Sequence, residues 1–508
     1  MKLEELVKVS ASVAATSGRL EKISRLAAFL SQLSPDEVQI AVGFLIGWPR
    51  QGKLGIGWAT VSAAREHTPP ATASLELHEV DKVFDRLSTV RGKSSASERA
   101  RRLGDLFSSA TVDEQNFLGK LAVGEVRQGA LEGVLLEAIA KAAGQPSDVV
   151  RRAAMMAGDL GIVAKAALGE SRETALGEYQ LQLFRPVQPM LADSAPTVAD
   201  ALSAGVPAAV EWKLDGARIQ VHRQGDRVAV YTRSLNDVTA AVPEVVDVVQ
   251  ALPARELILD GEVIALAPDA RPLSFQDTMR RFGRRINVVK LRDELPLSAF
   301  FFDVLLHNGE TILDHPLSER LERLDSFSPL SVRVPRIFTA DPVEAARFQK
   351  DALSRGHEGV MVKLLSAPYA AGRRGSAWIK VKEARTLDLV VLAVEWGSGR
   401  RQGWLSNIHL GARDPVTGGF VMLGKTFKGM TDEMLEWQTK ELLARETHRD
   451  GHIVYVRPEL VVEVAFNEVQ RSPHYPGGVA LRFARVKGYR PDKNASEADT
   501  IDAVRAFL

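Results

Sequence analysis

The pattern of hydrophobic and polar positions divides the chain into three stretches, of which the first is helical. From residue 1 to residue 185, apolar residues recur every three or four positions, as they do in amphipathic helices. Ser34-Pro35-Asp36-Glu37 and Thr111-Val112-Asp113-Glu114 combine a capping hydroxyl with a glutamate three positions later, which is typical of helix N-termini. Because alternating runs are rare here, we predict an all-α N-terminal domain over residues 1–185.

The pattern changes after the proline-containing segment 184–189. Runs with a period of two now alternate with helical stretches, and Gly225-Asp226 separates two such runs as the turn of a hairpin. Further strand-like runs lie at residues 257–266, 300–306, 359–365 and 378–381. This mixture predicts an α+β domain over residues 186–386.

The third stretch consists of short apolar runs between glycine-rich turns such as Gly397-Ser398-Gly399. About five short strands within about 100 residues suit a small β-barrel. We therefore predict a multidomain protein with an all-α domain, an α+β core and a C-terminal β-barrel over residues 387–508.

Composition supports a globular protein and excludes several chemistries. The 508 residues are 45% hydrophobic and 25% charged, and their number suggests about three domains. The chain has no cysteine, which excludes disulfides, Cys-ligated zinc and thiol catalysis. With a net charge of +1, contact with a nucleic acid must rely on local clusters of basic residues. An acidic N-terminus and the lack of a long apolar run lead us to expect a cytoplasmic protein that does not enter a membrane.

The first candidate for chemistry is Lys213-Leu214-Asp215-Gly216, where a lysine ends a strand-like run before a glycine turn. Alone, this motif would fit a surface lysine. Six further motifs follow it in order: Tyr231-Thr232-Arg233-Ser234, Leu259-Asp260-Gly261-Glu262, Phe302-Asp303, His357-Glu358-Gly359-Val360-Met361-Val362-Lys363, Trp378-Ile379-Lys380-Val381-Lys382 and Arg482-Phe483-Ala484-Arg485. The ordered set resembles the signature of covalent nucleotidyltransferases, which include DNA ligases, RNA ligases and mRNA capping enzymes.

The residue types also suit this chemistry without the resemblance. A lysine attacks the α-phosphate of a nucleoside triphosphate only as the neutral amine, which is rare at neutral pH because its ordinary pKa is about 10.4. We expect a metal, Arg218 and Lys380 to depress the pKa of Lys213. Carboxylates without histidine or cysteine favour Mg²⁺, or Mn²⁺, over zinc. No G-x-x-x-x-G-K-[ST] phosphate loop is present.

The resemblance assigns a role to each matched residue. It implies that Lys213 becomes adenylylated, that Glu211 lines the adenine pocket and that Phe302 stacks on the base. Arg218 and Arg233 are implied to contact ribose and phosphate. Glu262 is implied to bind ribose or metal, and Glu358 to bind metal. The implied cations along the triphosphate are Arg374, Lys380 and Lys382, and Arg482 and Arg485 are implied to orient pyrophosphate.

Several residues of these motifs also have a structural interpretation. Glu211 could be an acid at a strand edge, and Phe302 could face the core, because neighbours along a strand point to opposite sides. Arg218 and Arg233 could form ion pairs with Asp215 and Asp237. Glu262 and Glu358 could lie on the surface, and Trp378 could pack against its neighbours.

The flanking domains narrow the resemblance to ATP-dependent DNA ligases of the bacterial and archaeal type, and most closely to the actinobacterial B type. The helical domain resembles their DNA-binding domain, and residues 124–129 resemble a loop in which Arg127 would meet the DNA backbone; taken alone, the segment fits a plain helix–helix turn. The basic cluster 280–285 is either a DNA contact or a solvated helix face. NAD-dependent relatives usually add a cysteine-ligated zinc element, so ATP is the expected co-substrate.

The resemblance thus implies an ATP-grasp-like adenylation core, an OB-fold barrel and the sealing of nicks in double-stranded DNA with ATP and Mg²⁺. The expected steps are formation of lysyl-AMP, transfer of AMP to the 5′-phosphate and attack by the 3′-hydroxyl, in replication, recombination or repair. We expect a monomer; no protein partner can be named from the sequence. Two further classes remain open: an enzyme that acts on RNA ends, and a non-catalytic module that binds DNA ends.

Overall fold

The computed structural model describes residues 1–65, 69–91, 95–126, 132–169, 172–282, 288–370, 374–383, 385–398 and 401–508, with only the backbone for residues 172, 173, 289, 374 and 375. Arg127 therefore lies outside the described residues, as do residues 283–285 of the basic cluster. Arg374 is described by its backbone alone.

The N-terminal region is helical, as predicted. Its helices are α1 (Leu3–Ala15), α2 (Arg19–Leu30), α3 (Pro35–Ile46), α4 (Trp58–Ala64), α5 (Leu77–Ser88), α6 (Ser95–Phe107), α7 (Val112–Val123), α8 (Glu132–Ala143), α9 (Ser147–Ala157), α10 (Leu160–Leu168) and α11 (Arg172–Ala175). Ser34 and Thr111 cap α3 and α7, each in a capping box with the glutamate three residues on. The apolar faces of the helices share one core, in which the rings of Phe44 and Phe84 lie 5.6 Å apart.

The middle region is built from strands and helices. Its strands are β1 (Leu191–Ala195), β2 (Ala208–Lys213), β3 (Ala217–Gln224), β4 (Arg227–Thr232), β5 (Glu256–Ala265), β6 (Leu297–His307), β7 (Glu310–Thr311), β8 (Arg336–Thr339), β9 (Gly359–Leu364) and β10 (Arg374–Lys382). Its helices are α12 (Val198–Ala201), α13 (Pro243–Gln250), α14 (Phe275–Phe282), α15 (Val288–Glu294), α16 (Leu317–Phe327) and α17 (Pro342–Ser354).

These strands form two five-stranded sheets, and the lysine motif connects them. One sheet has the order β1-β10-β9-β2-β8 and the other β4-β3-β5-β6-β7. The chain leaves the first sheet at Lys213 and enters the second at Ala217. Gly216 is required at this crossing because a Cβ there would lie 2.2 Å from the carbonyl oxygen of Val263. Lys213 is therefore held at the boundary between the sheets.

The C-terminal region is rich in strands, as predicted. Its elements are β11 (Arg385–Trp396), β12 (Leu405–Arg413), β13 (Phe420–Thr426), α18 (Asp432–Leu443), β14 (Glu446–Asp450), β15 (Ile453–Val456), β16 (Val461–Phe466), β17 (Glu468–Arg471), β18 (Val479–Arg482), β19 (Arg485–Tyr489) and α19 (Ile501–Arg505). The long strand β11 pairs with β12, β15 and β16, all antiparallel. The multidomain architecture is thus confirmed, whereas the boundaries at residues 185 and 386 stay predictions.

The helical region is packed against the middle region. Met155 and Met156 of α9 share an apolar cluster with Met190, Tyr369 and Trp378. At the edge of this contact Arg152 donates to both carboxylate oxygens of Asp314, at 2.5 and 2.6 Å. Within the described ranges, no helix combines the length and the apolar character needed to span a membrane.

Candidate active site

A large cavity lies between the middle and C-terminal regions, with a volume of about 1360 Å³. Strands of both middle sheets and the β18–β19 turn line its walls. The residues predicted from the motifs that contribute to it are Glu211, Lys213, Arg218, Arg233, Glu262, Phe302, Glu358, Lys380, Lys382, Arg482 and Arg485. The fold thus brings together side chains that lie up to 274 positions apart in the sequence.

Lys213 is engaged by a carboxylate in this cavity. Its Nζ donates to Oε2 of Glu358, and Nζ of Lys382 donates to the other oxygen of the same carboxylate. The backbone creates this contact, because the N–H of Glu358 donates to the carbonyl oxygen of Lys213 at 3.1 Å. A single glutamate therefore bridges two lysines on β2 and β10, the strands that flank β9 in the sheet.

The expected depression of the pKa of Lys213 is wrong, because the pKa is raised. Burial alone would lower the pKa, but the charges of Glu358, Glu262 and Asp215 outweigh burial and raise it above the ordinary value. The sequence argument counted the cations near Lys213 and omitted the carboxylate that contacts it. With its pKa above the ordinary value, Lys213 is an ammonium group at neutral pH.

The other carboxylates near Lys213 are held in an environment that disfavours their charge. Burial raises the pKa of Glu262 to about 7, against the opposing charges of Lys213 and Arg218. Burial and the charge of Glu358 raise the pKa of Asp215 to about 6. Among the described residues there is no group of three or more His, Asp or Glu side chains that could hold a metal ion by itself.

An aromatic and ionic wall forms one end of the cavity. The ring of Phe302 meets the ring of Trp378 edge-on, with centroids 5.8 Å apart. Nζ of Lys363 lies 4.3 Å from both ring centroids and 2.5 Å from Oε2 of Glu211. The other oxygen of Glu211 has no hydrogen-bond partner among the described residues. This arrangement offers a flat apolar surface beside one free acceptor.

The two possible orientations of Phe302 are resolved by strand alternation. Phe301 is fully buried in the core between β5, β6 and α16, whereas Phe302 is half-buried and lines the cavity. Phe302 therefore does not belong to the core cluster that contains Phe301.

Arg218 is paired with Asp260, so the suggested pair with Asp215 is wrong. Its Nε and Nη2 donate to the two oxygens of Asp260 at 3.0 and 2.7 Å, and its Nη1 donates to the carbonyl oxygen of Met190 at 2.6 Å. Asp260 lies on the strand next to Arg218, a pairing that the sequence spacing does not reveal. Arg233 is exposed at the cavity rim and, within the described ranges, makes no ion pair with Asp237.

The C-terminal region contributes a basic wall. Arg482 donates to Glu468 at 3.0 Å, and its guanidinium lies 3.8 Å from the ring centroid of Phe275 on α14. Arg485 also lines the cavity. Two further lysines, Lys428 and Lys487, join them and were not identified from the sequence. Lys487 could have been found, because it follows Arg485 at the strand period of two around buried Val486.

Part of the basic cluster at residues 280–285 has a structural role that neither interpretation anticipated. Arg281 is buried and donates to both oxygens of Glu244 at 2.9 Å and to the carbonyl oxygen of Ala241. It is therefore neither a DNA contact nor part of a solvated helix face. Arg127 lies outside the described residues, and the side chain of Arg374 is not described, so their predicted contacts stay predictions.

Three family models match successive parts of the chain. The model described as "DNA ligase N terminus" matches residues 58–140, "ATP dependent DNA ligase domain" matches residues 189–382, and "ATP dependent DNA ligase C terminal region" matches residues 401–493. The second of these spans the two sheets that hold Lys213, and the third spans most of the strand-rich region.

Relatives match over the full length. A "Probable DNA ligase" of Anaeromyxobacter sp. (strain Fw109-5) is 57% identical, over 100% of this chain and 98% of that protein. "DNA ligase B" of Mycobacterium tuberculosis (strain CDC 1551) is 53% identical, with full coverage of both chains. The solved structure "Pmar-Lig_PreS3" shares the fold, with a TM-score of 0.63 and 18% identity over 96% of this chain and 99% of that one. The chain belongs to the ATP-dependent DNA ligase family, and its full-length match to the mycobacterial protein assigns it to the B type.

Proposed function

We propose that this protein seals nicks in double-stranded DNA with ATP through a lysyl-AMP intermediate on Lys213. The observation that carries the proposal is the convergence of all the matched motifs on one cavity around the amine of Lys213. The covalent lysyl-AMP mechanism is general to the family to which the chain belongs.

In the first step, the neutral amine of Lys213 attacks the α-phosphorus of ATP. A phosphorus–nitrogen bond forms while the bond from the α-phosphorus to the bridging oxygen breaks, and pyrophosphate leaves. Glu358 already accepts a hydrogen bond from the amine that must lose its proton. Withdrawal of Glu358 from Lys213 would remove the charge that contributes most to the raised pKa of the lysine.

The aromatic wall suits the adenine base. The free oxygen of Glu211 can accept a hydrogen bond from the exocyclic amine of adenine, while Phe302 offers its face for stacking. Arg218 and Arg233 would contact ribose and phosphate. Arg374, Lys380 and Lys382 would contact the triphosphate, and Arg482 and Arg485 would balance the charge of the departing pyrophosphate.

The carboxylates near Lys213 fit a bound Mg²⁺ whose remaining ligands come from phosphate and water. Burial opposes the charge of Glu262 and of Asp215, and a cation among these groups would relieve that cost. Glu262 and Glu358 would hold the ion. When bound, Mg²⁺ (or Mn²⁺) would supply charge neutralisation at the reacting phosphate.

The remaining steps use nicked DNA. AMP passes from Lys213 to the 5′-phosphate, and the 3′-hydroxyl then displaces AMP to join the strand. The helical region would bind the duplex, with Arg127 among its phosphate contacts, and the C-terminal region would act as an OB-fold barrel. We propose that the enzyme works as a monomer in the cytoplasm, in replication, recombination or repair.

A substrate matrix tests the function. Nicked duplexes with DNA or RNA on either side of the nick are incubated with Mg²⁺ and either ATP or NAD. We expect joining of the DNA nick with ATP alone. Joining of RNA in preference to DNA would assign the enzyme to RNA ends, joining with NAD alone would overturn the co-substrate, and DNA binding without joining would indicate a binding module.

A further inference from the structure

A tyrosine that belongs to none of the sequence motifs completes the buried network around Arg218. The hydroxyl of Tyr369 donates to Oδ2 of Asp260 at 2.7 Å and accepts from the N–H of Met190 at 3.1 Å. Nη2 of Arg218 lies 3.4 Å from the same hydroxyl. The hydroxyl therefore links the two residues that accept hydrogen bonds from the guanidinium of Arg218, namely Asp260 through its carboxylate and Met190 through its backbone.

The ring of Tyr369 is fixed by contacts that do not involve its hydroxyl. It packs edge-on against Trp378, with ring centroids 6.0 Å apart, and only 2% of its surface is exposed. The N–H of Tyr369 donates to the carbonyl oxygen of Leu313 at 2.9 Å. Nη1 of Arg320 donates to the carbonyl oxygen of Ala367 at 3.1 Å, which fixes the preceding turn. Loss of the hydroxyl alone would leave the ring in place.

We propose that Tyr369 is a positioning residue that fixes the guanidinium of Arg218 for nucleotide binding. The inference rests on the proposed function, in which Arg218 contacts the nucleotide. Without the hydroxyl, Asp260 keeps the arginine as its partner but loses its tie to the Met190 backbone, and the buried N–H of Met190 loses its acceptor. The guanidinium would then be held by two groups that move independently.

The protonation state suits this role. Burial and the charge of Asp260 raise the pKa of Tyr369 well above its ordinary value, so the hydroxyl is a donor at neutral pH. The network also reaches the helical region, because Met190 and Tyr369 belong to the apolar cluster that contains Met155 and Met156 of α9. Packing of the helical region thus helps to fix the backbone of Met190, whose carbonyl oxygen accepts a hydrogen bond from Arg218.

The test is the Tyr369→Phe variant of the full-length protein, measured in steady-state exchange of labelled pyrophosphate into ATP, which forms and discharges the AMP adduct repeatedly, across a range of ATP concentrations. Because Arg218 would bind the nucleotide alike in the ground and transition states, we expect KM for ATP to rise about tenfold with kcat within about twofold of the wild type. Tyr489→Phe is the matched control, since it removes a hydroxyl that donates to Gln438 at 2.9 Å in the C-terminal region. Its KM should equal that of the wild type.

A double-mutant cycle distinguishes positioning from simple packing. If Tyr369 acts through Arg218, Tyr369→Phe should change KM much less in an Arg218→Lys background than in the wild type. An unchanged KM, or the same increase in both backgrounds, would overturn the proposal even where thermal stability falls. A wild-type protein that forms no adduct would instead overturn the proposed function.

Discussion

Asp303 and Glu358 are both carboxylates of the middle region, but their surroundings differ. Asp303 is fully buried and receives two hydrogen bonds, at 2.8 and 3.0 Å, from the planar guanidinium of fully buried Arg320. Glu358 stands at the cavity wall and is shared by Lys213 and Lys382, whose ammonium groups are compact point charges. Asp303 and Arg320 form a closed pair, whose charges are neutralised inside the fold. Glu358 and Lys213 form an open pair, because Glu358 lines the cavity and can exchange a lysine for another cation. This difference separates charges that stabilise the fold from charges that are available for chemistry.

If joining of nicked DNA survives substitution of Lys213, the distinction between the closed and the open pair fails. Lys213→Ala should abolish joining of nicked DNA with ATP, because no amine remains to accept AMP, while unfolding stays unchanged. The control is Lys425→Ala, which removes a lysine that is also paired with a glutamate, Glu395, but lies outside the cavity. Joining is measured on a labelled nick. Residual joining by the Lys213 variant would mean that another residue carries the nucleotide.

Glu358→Gln tests whether the open pair controls the protonation of Lys213. Removal of the charge should lower the pKa of Lys213, so its modification by an amine-selective reagent at neutral pH should accelerate roughly tenfold. Adduct formation with ATP should nevertheless fall about a hundredfold, because a carboxylate proposed to hold the metal is lost. Glu395→Gln is the matched control, as Glu395 also bridges several polar partners. Modification at an unchanged rate would show that Glu358 does not set the pKa.

Substitution in the closed pair of Asp303 and Arg320 should lower the stability of the fold. Arg320→Ala leaves Asp303 buried without its counter-ion and should destabilise the middle region by about 3–5 kcal/mol, measured by urea unfolding. Arg323→Ala, further along α16, removes a half-exposed pair with Glu310 and should cost less than about 1 kcal/mol. Equal losses for the two variants would remove the distinction between closed and open pairs.

Buried His222 makes the stability of the fold depend on pH. Its Nδ1 accepts the N–H of Phe184, and burial lowers its pKa from 6.5 to about 3. Because the folded state keeps the ring neutral, its contribution is present above pH 6.5 and is lost as the pH falls. The wild type should lose about 2 kcal/mol relative to His222→Asn between pH 6.5 and pH 5, measured by urea unfolding. The same pH dependence in the wild type and in His222→Asn would contradict this role of His222.

Phe302→Ala has the smallest expected effect. Loss of the stacking surface should raise KM for ATP in adduct formation about tenfold and slow the joining of a pre-adenylylated nick by much less. Phe301→Leu is the neighbouring control, because Phe301 faces the core. It should lower stability without a change in KM. Equal losses in adduct formation and in joining would assign Phe302 to packing.

The sequence predicted the helical and strand-rich character of the regions, and these features depend on local patterns. Strand alternation limits Phe301 and Phe302 to opposite sides, and capping residues locate the starts of α3 and α7. The partners of charged groups could not be predicted in the same way. Asp260 for Arg218, Glu358 for Lys213 and Glu244 for Arg281 depend on which strands and helices become neighbours, and their separations of 42, 145 and 37 positions carry no local signal.

The pKa of Lys213 illustrates the consequence. Counting nearby cations predicted a depressed value, whereas one contacting carboxylate, supported by two others, raises it. The same dependence on long-range neighbours hid Tyr369 and Lys428, which lie outside the matched motifs. Chemistry that depends on residue type was therefore accessible from the sequence, and chemistry that depends on contact was not.

The central claim is that Lys213 is the residue that receives AMP from ATP. The most direct measurement incubates the full-length protein with Mg²⁺ and ATP labelled at the α-phosphate, then determines the intact mass and maps the label by peptide sequencing, after pyrophosphate has been used to discharge any AMP already bound. We predict one AMP per chain, attached to Lys213 and released as ATP when pyrophosphate is added back. Label on Lys363 or Lys382, or no adduct on a discharged protein, would contradict the account.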